Sequence, residues 1–280
     1  MLVYEVSAFT KEGQGGNKAG VILSENDGNN PSLYQEIAKE KGYSEVIVAY
    51  KVDTNLYKVS YYTPSDEIDF CGHASIALGY LLFKEADASS IDLKTNNELV
   101  TLYKKDQAIY LKMPDVSYGR RVDKERIAHS LSIDSNQIIL QPEIVSVGIP
   151  DIMILVDSKN TLDKIVLNRQ AVIDISRRYN VTGYHVCAIE KNIYYTRNFA
   201  PLYEIDEECA TGSASASMYY YLLKHKMLNE TSMTFIQGDN MIDGNKQSLA
   251  SEIKVMVKEE DLYVGGTCVL NQTYKYEKKA

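Results

Sequence analysis

Between Glu207 and Leu223 the chain reads Glu-Glu-Cys-Ala-Thr-Gly-Ser-Ala-Ser-Ala-Ser-Met-Tyr-Tyr-Tyr-Leu-Leu, with its chemically able residues crowded into the first half. Thr211, Gly212 and Ser213 stand where a helix should begin, and Ala214, Met218, Tyr221 and Leu222 recur at the spacing of a buried helical face. A helix start exposes backbone N–H groups and the positive end of the dipole, so it can hold an anion. Glu208 and Cys209 lie just before that start, within reach of whatever anion is held. Asp69 to Leu82 follows the same plan, running from an acid through Cys71 and Gly72-His73-Ala74-Ser75 into a small-residue helix. Gly72 to Ser75 can be laid on Gly212 to Ser215, or Cys71 on Cys209. Either way the copies lie about half a chain apart and predict two similar domains, each offering one helix start to a shared cleft.

Two such helix starts suit a reaction that builds negative charge on a bound acid, as when a proton leaves a carbon beside its carboxylate. Removing that proton puts two negative charges on one group, which preorganised N–H donors stabilise. The base must sit within hydrogen-bond reach of the proton. Glu45 opens the apolar run Val46-Ile47-Val48-Ala49, and burial there would raise its pKa toward acid–base work. Cys209 is a second candidate, a thiol lowered in pKa by the helix start, with Cys71 at the other start. His73, between Gly72 and Ala74, has no obvious packing role. His129, His185 and His225 fit no motif, and Cys187 and Cys268 read as core. The four cysteines form no C-x-x-C pair, which argues against a zinc site and a secreted disulfide framework. No metal or other cofactor is expected.

The totals bound the class. With 280 residues, 45% hydrophobic and 24% charged, the chain reads as globular, one large or two ordinary domains. A net charge of −8 gives no reason to expect nucleic-acid binding. No apolar run suits a membrane span and the first twenty residues lack a signal-peptide layout, so the expectation is cytoplasmic, with reduced thiols. Twenty-two tyrosines against no tryptophan suggest aromatic packing with a polar tip.

The elements that must position these residues are mostly strands. Strands are predicted over 2–9, 19–23, 45–50 and 57–62, and a hairpin over 100–103 and 108–113. A helix is predicted over 32–41 with Ser32 as N-cap. A boundary falls near Pro114 to Arg121. Beyond it come a helix over 123–130, strands near Ile138, Val145 and Ile152, and a helix within 163–179. Strands follow at 185–189 and 194–199, then at 233–236, 252–257 and 262–266 after the Cys209 helix. The basic tail from Lys275 to Lys279 reads as frayed.

Taken together, several motifs resemble the phenazine-biosynthesis isomerase (PhzF-like) family, in the family's order and over nearly the whole chain. They are Phe9-Thr10 with Gly16-Asn17, Ser44-Glu45, Tyr62-Thr63-Pro64 through Glu67 to Cys71-Gly72-His73-Ala74, Arg197-x-Phe199-x-Pro201, Glu207 to Ser213, Gln237-Gly238 and Val264-Gly265-Gly266. The resemblance implies the α+β fold of diaminopimelate epimerase and proline racemase: two pseudo-symmetric domains, each a strand layer wrapped round a central helix. It implies domains at 1–117 and 118–263, with 264–280 returning to the first. It implies catalytic roles for Glu45, His73, Glu208 and Ser213, and substrate contacts at Asn17, Gly72, Ala74, Thr211 and Gly212. The expected activity is cofactor-independent isomerisation of a small carboxylate substrate, with a homodimer as one possible assembly. The sequence departs from the usual Glu-Asp-Pro-Ala-Thr-Gly, reading Glu207-Glu208-Cys209-Ala210-Thr211-Gly212, and Lys18 and Leu249-Ala250-Ser251 also differ. The resemblance to racemases places catalytic thiols at Cys71 and Cys209. Three readings therefore stand: a Glu45 isomerase, a two-thiol racemase or epimerase, and a non-catalytic metabolite-binding protein of the same fold.

Overall fold

The computed structural model describes residues 1–26, 30–244 and 246–277, so Lys278 and Lys279 of the basic tail lie outside the described residues. The chain divides into two compact units, Met1–Lys112 with Gly265–Ala280, and Met113–Val264.

The first unit is built from β1 (Leu2–Thr10), β2 (Asn17–Ser24), α1 (Pro31–Lys41), β3 (Glu45–Asp53), β4 (Leu56–Tyr62), β5 (Glu67–Ile68), α2 (Gly72–Glu85), β6 (Ser90–Lys94), β7 (Leu99–Lys105) and β8 (Ala108–Lys112). β1 and β2 are antiparallel, β2 and β3 parallel, and β3 and β4 antiparallel. β4 then takes β5 antiparallel and β6 parallel, and β6–β7–β8 is an antiparallel meander. α2 buries ten of its fourteen residues, as a helix apolar on nearly every face must. α1 covers the other side of the strands, where Tyr34, Ile37 and Ala38 pack with Val46, Val48 and Tyr62. Its N-cap is Asn30 rather than Ser32, because Pro31 takes the first helical position, where its missing N–H costs nothing.

The second unit opens with β9 (Ser117–Arg121) and α3 (Lys124–Leu131), the latter capped by Asp123. There follow β10 (Glu143–Val147), β11 (Ile149–Val156), α4 (Lys159–Lys164), α5 (Arg169–Tyr179), β12 (Tyr184–Glu190), β13 (Ile193–Ala200), β14 (Ile205–Glu208), α6 (Gly212–Lys224), β15 (Ser232–Gln237), β16 (Ser251–Lys258) and β17 (Asp261–Lys275). Its pairings from β10 to β16 follow those of the first unit from β1 to β7 in the same order and sense. β10 and β11 are antiparallel, β11 and β12 parallel, β12 and β13 antiparallel; β13 takes β14 antiparallel and β15 parallel, and β15 and β16 are antiparallel. α6 falls where α2 falls. α3, α4 and α5 cover the far face, over Ile152, Ile154, Val156, Val186 and Phe199. The fold is therefore α+β, a strand layer around a central helix in each unit.

β17 runs much longer than its sequence pattern predicts. Its later residues pair antiparallel with β1, from Thr10↔Thr267 to Leu2↔Lys275, so the chain's end lies in the first unit. A Cβ on Gly265 would stand 2.3 Å from the Ile109 carbonyl oxygen, so only glycine lets the strand lie there. The tyrosines use their polar tips as expected: Tyr61 meets Ser75 at 2.7 Å, Tyr43 donates to Glu5 at 2.8 Å, and Tyr221 donates to the Gln141 carbonyl at 3.0 Å.

Candidate active site

In the first unit, α2 begins where the sequence places it. Cys71 is its extended N-cap, and the Ser75 amide and hydroxyl both donate to the Cys71 carbonyl, at 3.0 and 2.7 Å. That turn sets His73 one residue inside the helix, buried. Glu45 is the first residue of β3, held beside Ala19 of β2 by the parallel register. Folding brings the three together. His73 Nδ1 lies 3.3 Å from Cys71 Sγ, and His73 Nε2 lies 3.2 Å from Glu45 Oε2. The second distance is that of an ion pair, but the groups are out of line for a hydrogen bond. The Glu45 carboxyl is 16% exposed, and burial pushes its pKa up to about 7, partly opposed by a hydrogen bond from Cys71.

Asn17 and Ala74 are buried in the same unit. Gly16 has φ +79° and its Cβ would stand 2.4 Å from the Ala8 carbonyl oxygen, so the loop closes on β1 only with glycine there. Beside it Phe9, a bulky residue, is held at φ 62°. At Gly72 a Cβ would meet nothing nearer than 3.8 Å, so packing does not demand glycine.

In the second unit, α6 begins at Gly212 with Thr211 as N-cap, and the Ser215 hydroxyl donates to the Thr211 carbonyl at 2.9 Å, as Ser75 does in α2. The helix starts therefore match Gly72 with Gly212. Thr211, not Cys209, answers Cys71; Cys209 answers Asp69. The Thr211 hydroxyl donates to Glu208 Oε2 at 3.1 Å. Ser213 stands half-buried in the first turn. Cys209 is not the lowered thiol its place before a helix suggests: burial, then the Glu208 charge, pushes its pKa up to about 12.

Sequence reasoning missed two parts of this second constellation. Buried Gln237 accepts from the Thr211 amide at 3.1 Å and donates to the Glu208 carbonyl and the Thr211 hydroxyl, at 2.7 and 2.9 Å. The signal was present in Gln237-Gly238: Gly238 has φ +70°, and its Cβ would stand 2.9 Å from the Cys209 carbonyl oxygen. His185, read as background, is fully buried beside Asn198, whose partner in β14 is Glu208. Burial holds His185 low, at about 3, so its ring is neutral, and holds Asp151 high, at about 7. No sequence signal marked either. Arg197 and Glu207 serve structure: the guanidinium donates to both carboxylate oxygens, at 2.8 and 2.6 Å, clamping β14 to β13.

The sequence has no ligand cluster at metal-binding spacing, yet Glu45, Cys71 and His73 offer ligand atoms that all lie within 4.8 Å of one another. The set escapes notice in the sequence because one member comes from β3 and two from the start of α2.

A strand layer around a central helix, twice over, is a fold shared with racemases. A probable proline racemase of Agrobacterium radiobacter K84, crystallised with bound carbonate, superposes with a TM-score of 0.62 at 14% identity, over 99% of this chain and 93% of that one. A PhzF-family phenazine biosynthesis protein of Bacillus anthracis superposes with a TM-score of 0.85 at 20% identity, over 99% of each chain. An uncharacterized isomerase of Clostridium acetobutylicum is 30% identical over 242 residues, 80% of each chain. The phenazine biosynthesis-like protein family matches residues 6–273, and the chain belongs to it. It is an isomerase.

Proposed function

We propose that this isomerase moves a proton at a carbon beside the carboxylate of a small acid, with Glu45 as the general acid–base group. The observation that carries the reading is Glu45 itself: a carboxyl enclosed by protein, with a pKa near 7, set against His73 Nε2. A group poised there can both take and return a proton at neutral pH. His73 orients the carboxyl and supplies a proton of its own. The amides at the start of α2, beside Glu45 and His73, suit the charge that develops on the substrate carboxylate. In the second unit the proposal gives catalytic roles as well to Glu208, held by Thr211 and Gln237, and to the Ser213 hydroxyl. The reaction so described calls for no cofactor.

Two thiols remain the second reading, favoured by the 3.3 Å approach of Cys71 Sγ to a histidine nitrogen. Against it stand the raised pKa of Cys209 and its lack of correspondence with Cys71. The test is incubation in deuterated water with a panel of small amino and cyclic acids. Under the Glu45 reading one substrate gains a single deuterium, Glu45→Gln abolishes the gain, and Cys209→Ala leaves it. Exchange that survives Glu45→Gln and disappears with Cys209→Ala would establish the thiol mechanism.

A further inference from the structure

The Glu45–Cys71–His73 set has a capacity that proton transfer does not use. Thiolate, imidazole and carboxylate are the donors that tetrahedral zinc takes, at about 2.3 Å for sulfur and about 2.0–2.2 Å for nitrogen and oxygen, which spaces sulfur and nitrogen roughly 3.5 Å apart. Cys71 Sγ and His73 Nδ1 already lie 3.3 Å apart, and all three donors lie within 4.8 Å of one another. The cluster is enclosed: Cys71 and His73 are each 8% exposed. Glu45 Oε2 has no aligned hydrogen bond there. Charge also matches. One thiolate, one carboxylate and a neutral ring cancel a divalent cation, which lessens the cost of burying it.

We infer that Glu45, Cys71 and His73 form a capture site for a soft divalent cation of the zinc class, with a fourth position left open. Binding exchanges the thiol proton for the metal–sulfur bond and releases that proton to solvent. The Glu45–His73 contact gives way as both groups turn to the ion. Capture therefore silences the isomerase, a consequence that rests on the acid–base reading above; the binding itself does not.

The test titrates metal-free, full-length protein with Co²⁺ near neutral pH, reading the thiolate-to-cobalt absorption and the tetrahedral d–d bands, with Zn²⁺ as competitor. One cobalt per chain is expected, displaced by zinc. Cys71→Ser should remove the thiolate band, with Cys71→Ala as a second variant should the serine form misfold by circular dichroism. Glu45→Gln and His73→Gln should each weaken binding about ten-fold or more, and Cys209→Ser should leave the spectrum unchanged. Absence of a thiolate band, its survival in both Cys71 variants, or its loss in Cys209→Ser would overturn the site. Cobalt bound as described while deuterium exchange continues undiminished would keep the site and refute the Glu45 mechanism instead.

Discussion

At the scale of residues, the proposed mechanism ties both rate and stability to one carboxyl. As a base Glu45 must be ionised, so kcat/KM should rise with pH through about 7 and level off above it. Glu45→Gln should lower kcat by roughly 10²-fold or more with little change in KM. The same shift acts on stability with the opposite sense. The folded pKa lies near 7 and the ordinary value is 4.5, so the native state holds the proton more tightly than the unfolded chain. Glu45 is then neutral to stability below about 4.5, and it destabilises increasingly as pH rises toward 7, by up to about 3 kcal/mol. His73 and Cys71 face it in both proteins. Thermal melts should therefore find Glu45→Gln more stable than the native protein at pH ~8 and equal to it at pH ~4. A variant that is less stable at both would show that the charged form is held, not strained, by its surroundings.

At the scale of elements, glycines divide into those that packing demands and those it does not. A Cβ on Gly183 would stand 1.9 Å from the Phe199 carbonyl oxygen, a backbone atom that cannot step aside. Gly183→Ala should destabilise the protein by about 3 kcal/mol or more in denaturant titration, while Gly244→Ala, which meets nothing within 4 Å, should be near neutral. Gly72 is the informative case. Alanine fits there sterically, so Gly72→Ala should melt close to the native temperature, and under the proposed mechanism it should lose activity, its methyl group crowding the amides that would hold the substrate carboxylate. Local signals of this kind made much of the fold legible in the sequence. The helix starts at Gly72 and Gly212, the helix after Val122 and most strands follow from spacing and composition. What the sequence did not disclose is long-range. The parallel register that sets Glu45 beside Ala19, the residue-by-residue pairing of β17 with β1, and the Gln237 bonds beneath Glu208 all join residues far apart in the chain, although the resemblance already implies that 264–280 returns to the first domain. The two ways of aligning the halves looked equal until the N-caps fell on Cys71 and Thr211.

At the scale of the whole molecule, the chain is one topology used twice, but the copies are not equally self-sufficient. The second unit is a continuous segment, Met113–Val264, with its own core over α3, α4 and α5. The first needs the last stretch of β17 to complete β1, along a register from Leu2↔Lys275 to Thr10↔Thr267. Cut at Lys112, β1 would present a row of unpaired N–H and C=O groups along most of its length, an edge prone to aggregation. Expressed alone, 113–264 should fold and unfold cooperatively. Residues 1–112 should not, unless a peptide covering 265–277 is supplied. Circular dichroism melts and amide dispersion in NMR spectra of the two fragments, with and without the peptide, would decide it. A well-folded 1–112 fragment would mean that α2 and the β2–β3–β4 layer hold the unit by themselves, and that the returning strand contributes less than its pairing implies.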